Sequence, residues 1–172
     1  LESDKDEVVP KFTAVQSYFG RWMLYVVMGL IQSLIICVGD LLLLGVQCKS
    51  PAAFIFAGLF TSFVYVNIIY TFTVSFGDVG KAICVVLLVM QVAGSGGTFP
   101  IEVAPAFFKA VYPLLPFVHS MAAFRETIGG MYGMTYWTEL GKLGIFLLLS
   151  LILGLLLRKP VIRMNEAFAE KL

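Results

Sequence analysis

Few side chains in this sequence are able to do chemistry, and most of them lie inside apolar runs. Ser95, within "GSGG", and His119, the single histidine, are the pair from which a hydrolase would be built. Nucleophilic catalysis by such a pair needs a carboxylate to orient the histidine and a tight elbow to present the serine. Neither a Gly-x-Ser-x-Gly elbow nor a supporting carboxylate is evident, and termination of a helix accounts for the glycines around Ser95. The same "GSGGT" lacks the lysine and the strand-to-helix setting of a phosphate-binding loop, so ATP hydrolysis is not expected of this chain. His119 has no Cys, Asp or second His at ligand spacing, and Cys37, Cys48 and Cys84 lie far apart. The expectation is therefore no metal, no cofactor and no disulfide framework.

What remains is a set of polar groups embedded in apolar sequence. Asp40 stands on an otherwise apolar stretch, where a carboxylate costs a few kcal/mol at a membrane centre and less near an end. Two readings stand for it, a functional or inter-helix role and exposure at the membrane interface. Gln32, Asn67 and Gln91 are neutral polar groups of the kind that either hold helices together or line a conduit. A second group, Glu102, Arg125 and Glu126, lies around His119. Arg125 and Glu126 are adjacent, so they face different sides of a helix; a pair between Arg125 and Glu102 and simple exposure to water are the alternatives.

The elements that position these residues follow from composition. Of the 172 residues, 59% are apolar and 13% charged, and mean hydropathy is +0.92. Soluble domains run at about 45–50% apolar and about 25% charged, so the chain belongs in a bilayer. A net charge of +1 leaves no basic surface for nucleic acid. About 20 apolar residues are needed to cross about 30 Å of hydrocarbon. Four stretches meet or approach that length: 22–46, 51–76, 82–99 and 140–157. The short "FGDVGK" joins the second and third, and Asp78 and Lys81 within it are a candidate contact for a partner protein, or simply a solvated turn. Small residues at four-residue spacing, Ala53/Ala57, Gly58/Ser62 and Ser150/Gly154, allow helices to approach closely.

Lys and Arg set the orientation. With four spans, Lys5, Lys11, Arg21, Lys81, Arg158, Lys159, Arg163 and Lys171 share a side, against Lys49, Lys109, Arg125 and Lys142 on the other. The termini are therefore expected in the cytoplasm and the long 95–138 connection outside. Residues 1–21 form a cytoplasmic segment, either a linker or a strip along the inner surface, and 158–172 a cytoplasmic tail. The connection is too apolar for a hydrophilic loop and too rich in proline for a span. It fits a re-entrant helical hairpin over 98–130, entered through Gly94, Gly96, Gly97 and Pro100, with Glu102 near the first helix's positive end. Pro113 and Pro116 make the bend, and Gly129–Gly130 ends the second helix. Irregular backbone at membrane depth persists only where protein or a watery vestibule covers it.

"GLIQSLI", "SPAAFIFAGLFTS" and "FGDVGKAICVVLLVMQVAGSGGTFPIEVAPAFF…YPLLPF…RETIGG" together resemble the C-terminal membrane region of the YhgE/Pip (phage infection protein) family, within the type 2 ABC-exporter membrane-domain superfamily. The likeness covers about residues 17–160. It implies a six-span half-transporter that dimerises with itself or a relative, a last extracellular connection of two re-entrant helices, and a cytoplasmic face that receives a separate ATP-binding subunit. The four spans here would be the third to sixth, and the chain, which opens on Leu1 and "ESDKDE", is expected to be a fragment of a longer polypeptide. The expectation is thus an all-α integral membrane protein of the plasma membrane, a permease domain that moves a hydrophobic or amphipathic substrate outward. The alternative is a membrane anchor for a large extracellular domain used in secretion or as a phage receptor.

Overall fold

The computed structural model describes residues 14–95, 101–103, 105–131 and 133–169, and all of its regular elements are helical. They are α1 (Ala14–Leu42), α2 (Pro51–Gly94), α3 (Ala106–Val111), α4 (Pro116–Gly129) and α5 (Thr135–Ala169), with 3-10 turns at Ile101–Val103 and Tyr112–Leu114. Residues 14–21 continue α1 directly into the apolar stretch. Residues 1–13, and the expected hairpin positions Gly96, Gly97 and Pro100, lie outside the described residues.

Helix α2 is not a straight rod. Its 44 residues would extend about 66 Å, twice the thickness of hydrocarbon. Yet the Tyr65 hydroxyl donates to Gln91 Oε1 at 2.8 Å although the two are 26 residues apart, a separation of about 39 Å along a straight helix. The chain doubles back at Gly77, whose φ of 57° and ψ of −128° belong to a region that only glycine occupies without strain. The two apolar stretches expected over 51–76 and 82–99 are therefore the arms of one folded element, and its second arm reaches Gly94.

Contacts set the directions of the other helices. Along α1, Trp22 meets Asn67, Gly29 meets Ser62 and Cys37 meets Gly58, an antiparallel register with the first arm of α2. Along α5, Tyr136 meets Ala53, Gly144 meets Phe60 and Ser150 meets Asn67, a parallel register. Trp22, the Gly77 reversal and the far half of α5 consequently share one end of the bundle. The small residues do what their spacing allows: a side chain at Gly58 would collide with Cys37 Sγ, and Ser62 Oγ donates to the Gly29 carbonyl at 2.8 Å.

Helix α4 packs in the angle between the first arm of α2 and α5. Phe124 lies on Phe54 with ring centroids 5.0 Å apart, the Ser50 amide donates to the Thr127 carbonyl at 3.4 Å, and Ser120 faces Tyr65. α4 thus starts beside Tyr65, about 21 Å along the first arm from Pro51, and ends beside Ser50. Ala57, Ala123, Tyr136 and Leu140 form the buried core at this junction.

By length and composition, Phe19–Leu42, Pro51–Gly94 and Thr135–Gly154 are each able to cross a membrane. Pro51–Gly94 does so as two arms folded at Gly77, and the pair Ala106–Leu114 and Pro116–Gly129, bent by 75°, is either a broken span or a re-entrant segment. Their outer faces are apolar: Met23, Leu24 and Ile35 on α1 and Val85, Val86 and Val89 on the second arm of α2 are all exposed. Such a surface suits hydrocarbon and would aggregate in water. Helix α5 continues past the expected end of its span at 157, through Pro160 to Ala169.

Candidate functional site

A cavity of about 680 Å³ opens between α1, the first arm of α2 and α4. Each wall is one face of a helix. Gly29, Gln32, Ser33, Ile36, Cys37 and Asp40 recur along α1 at three- and four-residue steps, and Met121, Phe124 and Ile128 do the same on α4. Phe54, Thr61, Tyr65, Val66 and Ile69 contribute from α2. The walls are mainly apolar with a few hydroxyls and amides, the usual make-up of a site for an apolar or amphipathic molecule. Thr61 Oγ1, on this wall, is buried without a hydrogen-bond partner.

The four polar residues singled out within the spans divide into two kinds. Gln32 and Asp40 line the cavity. Asn67 is fully buried, accepts from Trp22 Nε1 at 3.1 Å and donates to Ser150 Oγ at 2.6 Å, so one amide ties α1, α2 and α5 together. Gln91 is buried and holds the second arm of α2 to the first through Tyr65. These two are joints between helices, Asn67 through both its side-chain oxygen and nitrogen and Gln91 through its Oε1.

The connecting segment is placed as follows. Gly94 is buried where a side chain would meet Phe108 Cδ1 at 2.9 Å and Leu115 Cδ1 at 3.1 Å. Pro113 and Pro116 flank Leu115, where α3 with its 3-10 turn and α4 meet at 75°. Glu102 is exposed, and the ion pairs among the described residues do not include it. Arg125 is exposed and Glu126 half-buried; both engage neighbouring groups, and the Glu126 carbonyl receives the Gly130 amide at the end of α4. At the opposite end of the bundle, Lys81 Nζ and Asp78 Oδ1 pair at 2.8 Å in full solvent. The hydrogen bond and charge of Lys81 hold the Asp78 carboxyl below the usual carboxylate range.

His119 has a carboxylate partner that the sequence did not disclose. Its Nδ1 lies 2.5 Å from Glu139 Oε2 on α5, and Glu139 Oε1 receives Lys142 Nζ at 2.6 Å. The side chains of His119 and Glu139 are 9% and 13% exposed, so the contact is largely removed from solvent. His119 Nε2 is turned on the Pro113 carbonyl at 3.2 Å, and that is where a catalytic histidine would hold its nucleophile. The cluster therefore clips the bend at Pro113 to α4 and α5. Among the described residues no three His, Cys, Asp or Glu side chains gather to hold a metal.

Two signals for these residues exist in the sequence. Gly29, Gln32, Ser33, Cys37 and Asp40 keep one helical face, which marks a small and polar stripe on α1. "TELGK" places Glu139 and Lys142 one turn apart at the start of the last apolar run. What α4 brings to either is not written in the spacing.

Comparison with known proteins agrees with this architecture. The family described as ABC-2 family transporter protein matches residues 11–156. The uncharacterized protein YhgE of Bacillus subtilis (strain 168) is 34% identical over 127 residues, which is 73% of this chain and 16% of that protein. This chain therefore spans about 16% of the length of that relative. No solved structure matches. An all-helical chain with several helices long enough to cross a membrane, matched over residues 11–156, thus belongs to the ABC-2 transporter family, as a YhgE-like membrane region.

Proposed function

We propose that this chain is the permease domain of an exporter, through which a hydrophobic or amphipathic substrate moves outward across the plasma membrane while a separate subunit hydrolyses ATP. The observation that carries the reading is the cavity: a largely apolar chamber between three helices, lined by Gln32 and Asp40. ABC-2 membrane domains commonly pair with ATP-binding subunits, and the family match over residues 11–156 is to a membrane component.

In this reading both termini and the Gly77 reversal face the cytoplasm, on the strength of the Lys and Arg distribution. The paired Asp78 and Lys81, solvent-exposed at that reversal, meet the ATP-binding subunit. The segment from α3 to α4 is a re-entrant hairpin in the outer leaflet. Its support is that α4 begins about 21 Å down the first arm of α2 and returns to the level of Ser50. Two copies, or a copy and a relative, complete the transporter.

The test is purification of the full-length protein in mild detergent. An ATP-binding subunit should accompany it, and Gln32→Trp, which fills the cavity without removing a hydrogen bond, should abolish stimulation of that ATPase by apolar substrates. A complex without any ATPase, or stimulation untouched by the filled cavity, refutes the proposal. The 16% share of the relative's length favours a second reading, in which the spans anchor a large extracellular domain and nothing is transported. The refuting result would support it.

A further inference from the structure

The chemistry of the cavity wall is asymmetric in charge. Asp40 is the one ionisable carboxylate among its lining residues, and none of them is Lys, Arg or His. The carboxylate is half-buried and takes part in none of the ion pairs among the described residues. Lys49, the nearest cation in sequence, lays its side chain against Gly130 at the end of α4. A half-buried carboxylate on the wall of an apolar cavity, without a protein cation, is completed at least cost by a cationic group from outside the chain.

Position adds to the argument. Asp40 lies in the last turn of α1, which holds no basic residue. The helix end carries a partial negative charge from its aligned peptide dipoles, so the carboxylate and the dipole reinforce one another. From Asp40 the cavity descends along α1 past Ile36 and Ser33 to Gly29, about 16 Å, with Phe54, Val66 and Ile69 facing it. The negative group is thus toward one end of the cavity, beside the end of α1, and the apolar surface runs away from it.

We infer that this cavity selects single-chain amphiphiles with a cationic head, binding an ammonium group at Asp40 while the hydrocarbon tail lies along α1. Resting on the reading of the cavity as the substrate path, it names the class of substrate. An ammonium head supplies the missing counter-charge. A carboxylate or phosphate head would meet the Asp40 charge and the helix end at close range, which is repulsive and selects against it.

The experiment uses the full-length protein in lipid nanodiscs at neutral pH, with spin-labelled octadecylamine and spin-labelled octadecanoate as probes and the immobilised fraction read by electron paramagnetic resonance. The amine should bind about tenfold more tightly than the carboxylate. Asp40→Asn, close to isosteric, should erase that preference without lowering the thermal unfolding temperature, and Asp40→Glu should keep it. Equal binding of the two probes, or a preference that survives in Asp40→Asn, overturns the charge selection and leaves the substrate path standing. Binding of neither probe, or binding that Gln32→Trp leaves unchanged, overturns both.

Discussion

Asn67 on α2 donates its side-chain amide to Ser150 Oγ on α5 at 2.6 Å, while its own carbonyl accepts from Trp22 of α1. One buried residue therefore fixes the relative positions of three helices. In hydrocarbon such bonds are worth about 0.6 to 2 kcal/mol each. Asn67→Leu should lower stability by about 1–3 kcal/mol. Gln32→Leu, which gives up no hydrogen bond, should change it by less than about 0.5 kcal/mol. Thermal unfolding in detergent, followed by circular dichroism, separates the two; equal losses would contradict the division of these residues into joint and cavity wall.

The reversal at Gly77 makes a second prediction. With φ at 57° and ψ at −128°, any side chain is strained there. Gly77→Ala should cost about 1–3 kcal/mol even though nothing lies within 4 Å of the new methyl group. Gly77→Val, whose β-branched side chain tolerates this conformation least, should cost at least as much. A stability left unchanged by Gly77→Ala would argue against this origin.

Glu139 is hydrogen-bonded to His119 and Lys142 together. Glu139→Gln keeps the shape but removes the charge, and His119→Ala removes the link to Pro113. Each should destabilise by about 1.5–3 kcal/mol, the range for hydrogen bonds to charged groups. The double variant should cost clearly less than the sum, since both changes break one contact. Strict additivity in a double-mutant cycle would show that the contact contributes nothing.

Asp78 and Lys81 are the opposite case. Asp78 is depressed by its hydrogen bond to Lys81 first and by the charge of Lys81 second, and Lys81 is raised by the same two causes. A depressed carboxyl contributes stability above its unfolded value near pH 4, and that contribution disappears as pH falls through the lower folded value. The pair is in full solvent, with side chains 62% and 97% exposed, so Asp78→Asn should leave thermal stability unresolved from the parent at neutral pH. If this turn meets an ATP-binding subunit, the same variant should reduce co-purification of that subunit severalfold. Unchanged association would place the contact elsewhere.

Much of this molecule is legible in its sequence because the bilayer imposes simple demands. Long apolar runs have to be helices, since no water is present to satisfy the backbone. Glycine at 77 and the "FGDVGK" turn mark a reversal that the Tyr65–Gln91 bond demonstrates, and the prolines at 113 and 116 mark the bend at Leu115. Asp40 and Gln32 stand out as polar residues within an apolar run, and both line the cavity.

Tertiary structure alone decided the rest. Nothing in the composition distinguishes Gln32 from Asn67 or Gln91; the difference lies in whether a neighbouring helix brings a partner, as Trp22, Ser150 and Tyr65 do. Likewise, "TELGK" reads as an interfacial pair of charges until α4 swings back and sets His119 on Glu139. Hydrophobic spacing dictates which face of a helix is apolar, but it is indifferent to which helix covers that face, because burial is non-directional. Hydrogen bonds and close contacts are directional, and they exist only once the helices have been assembled.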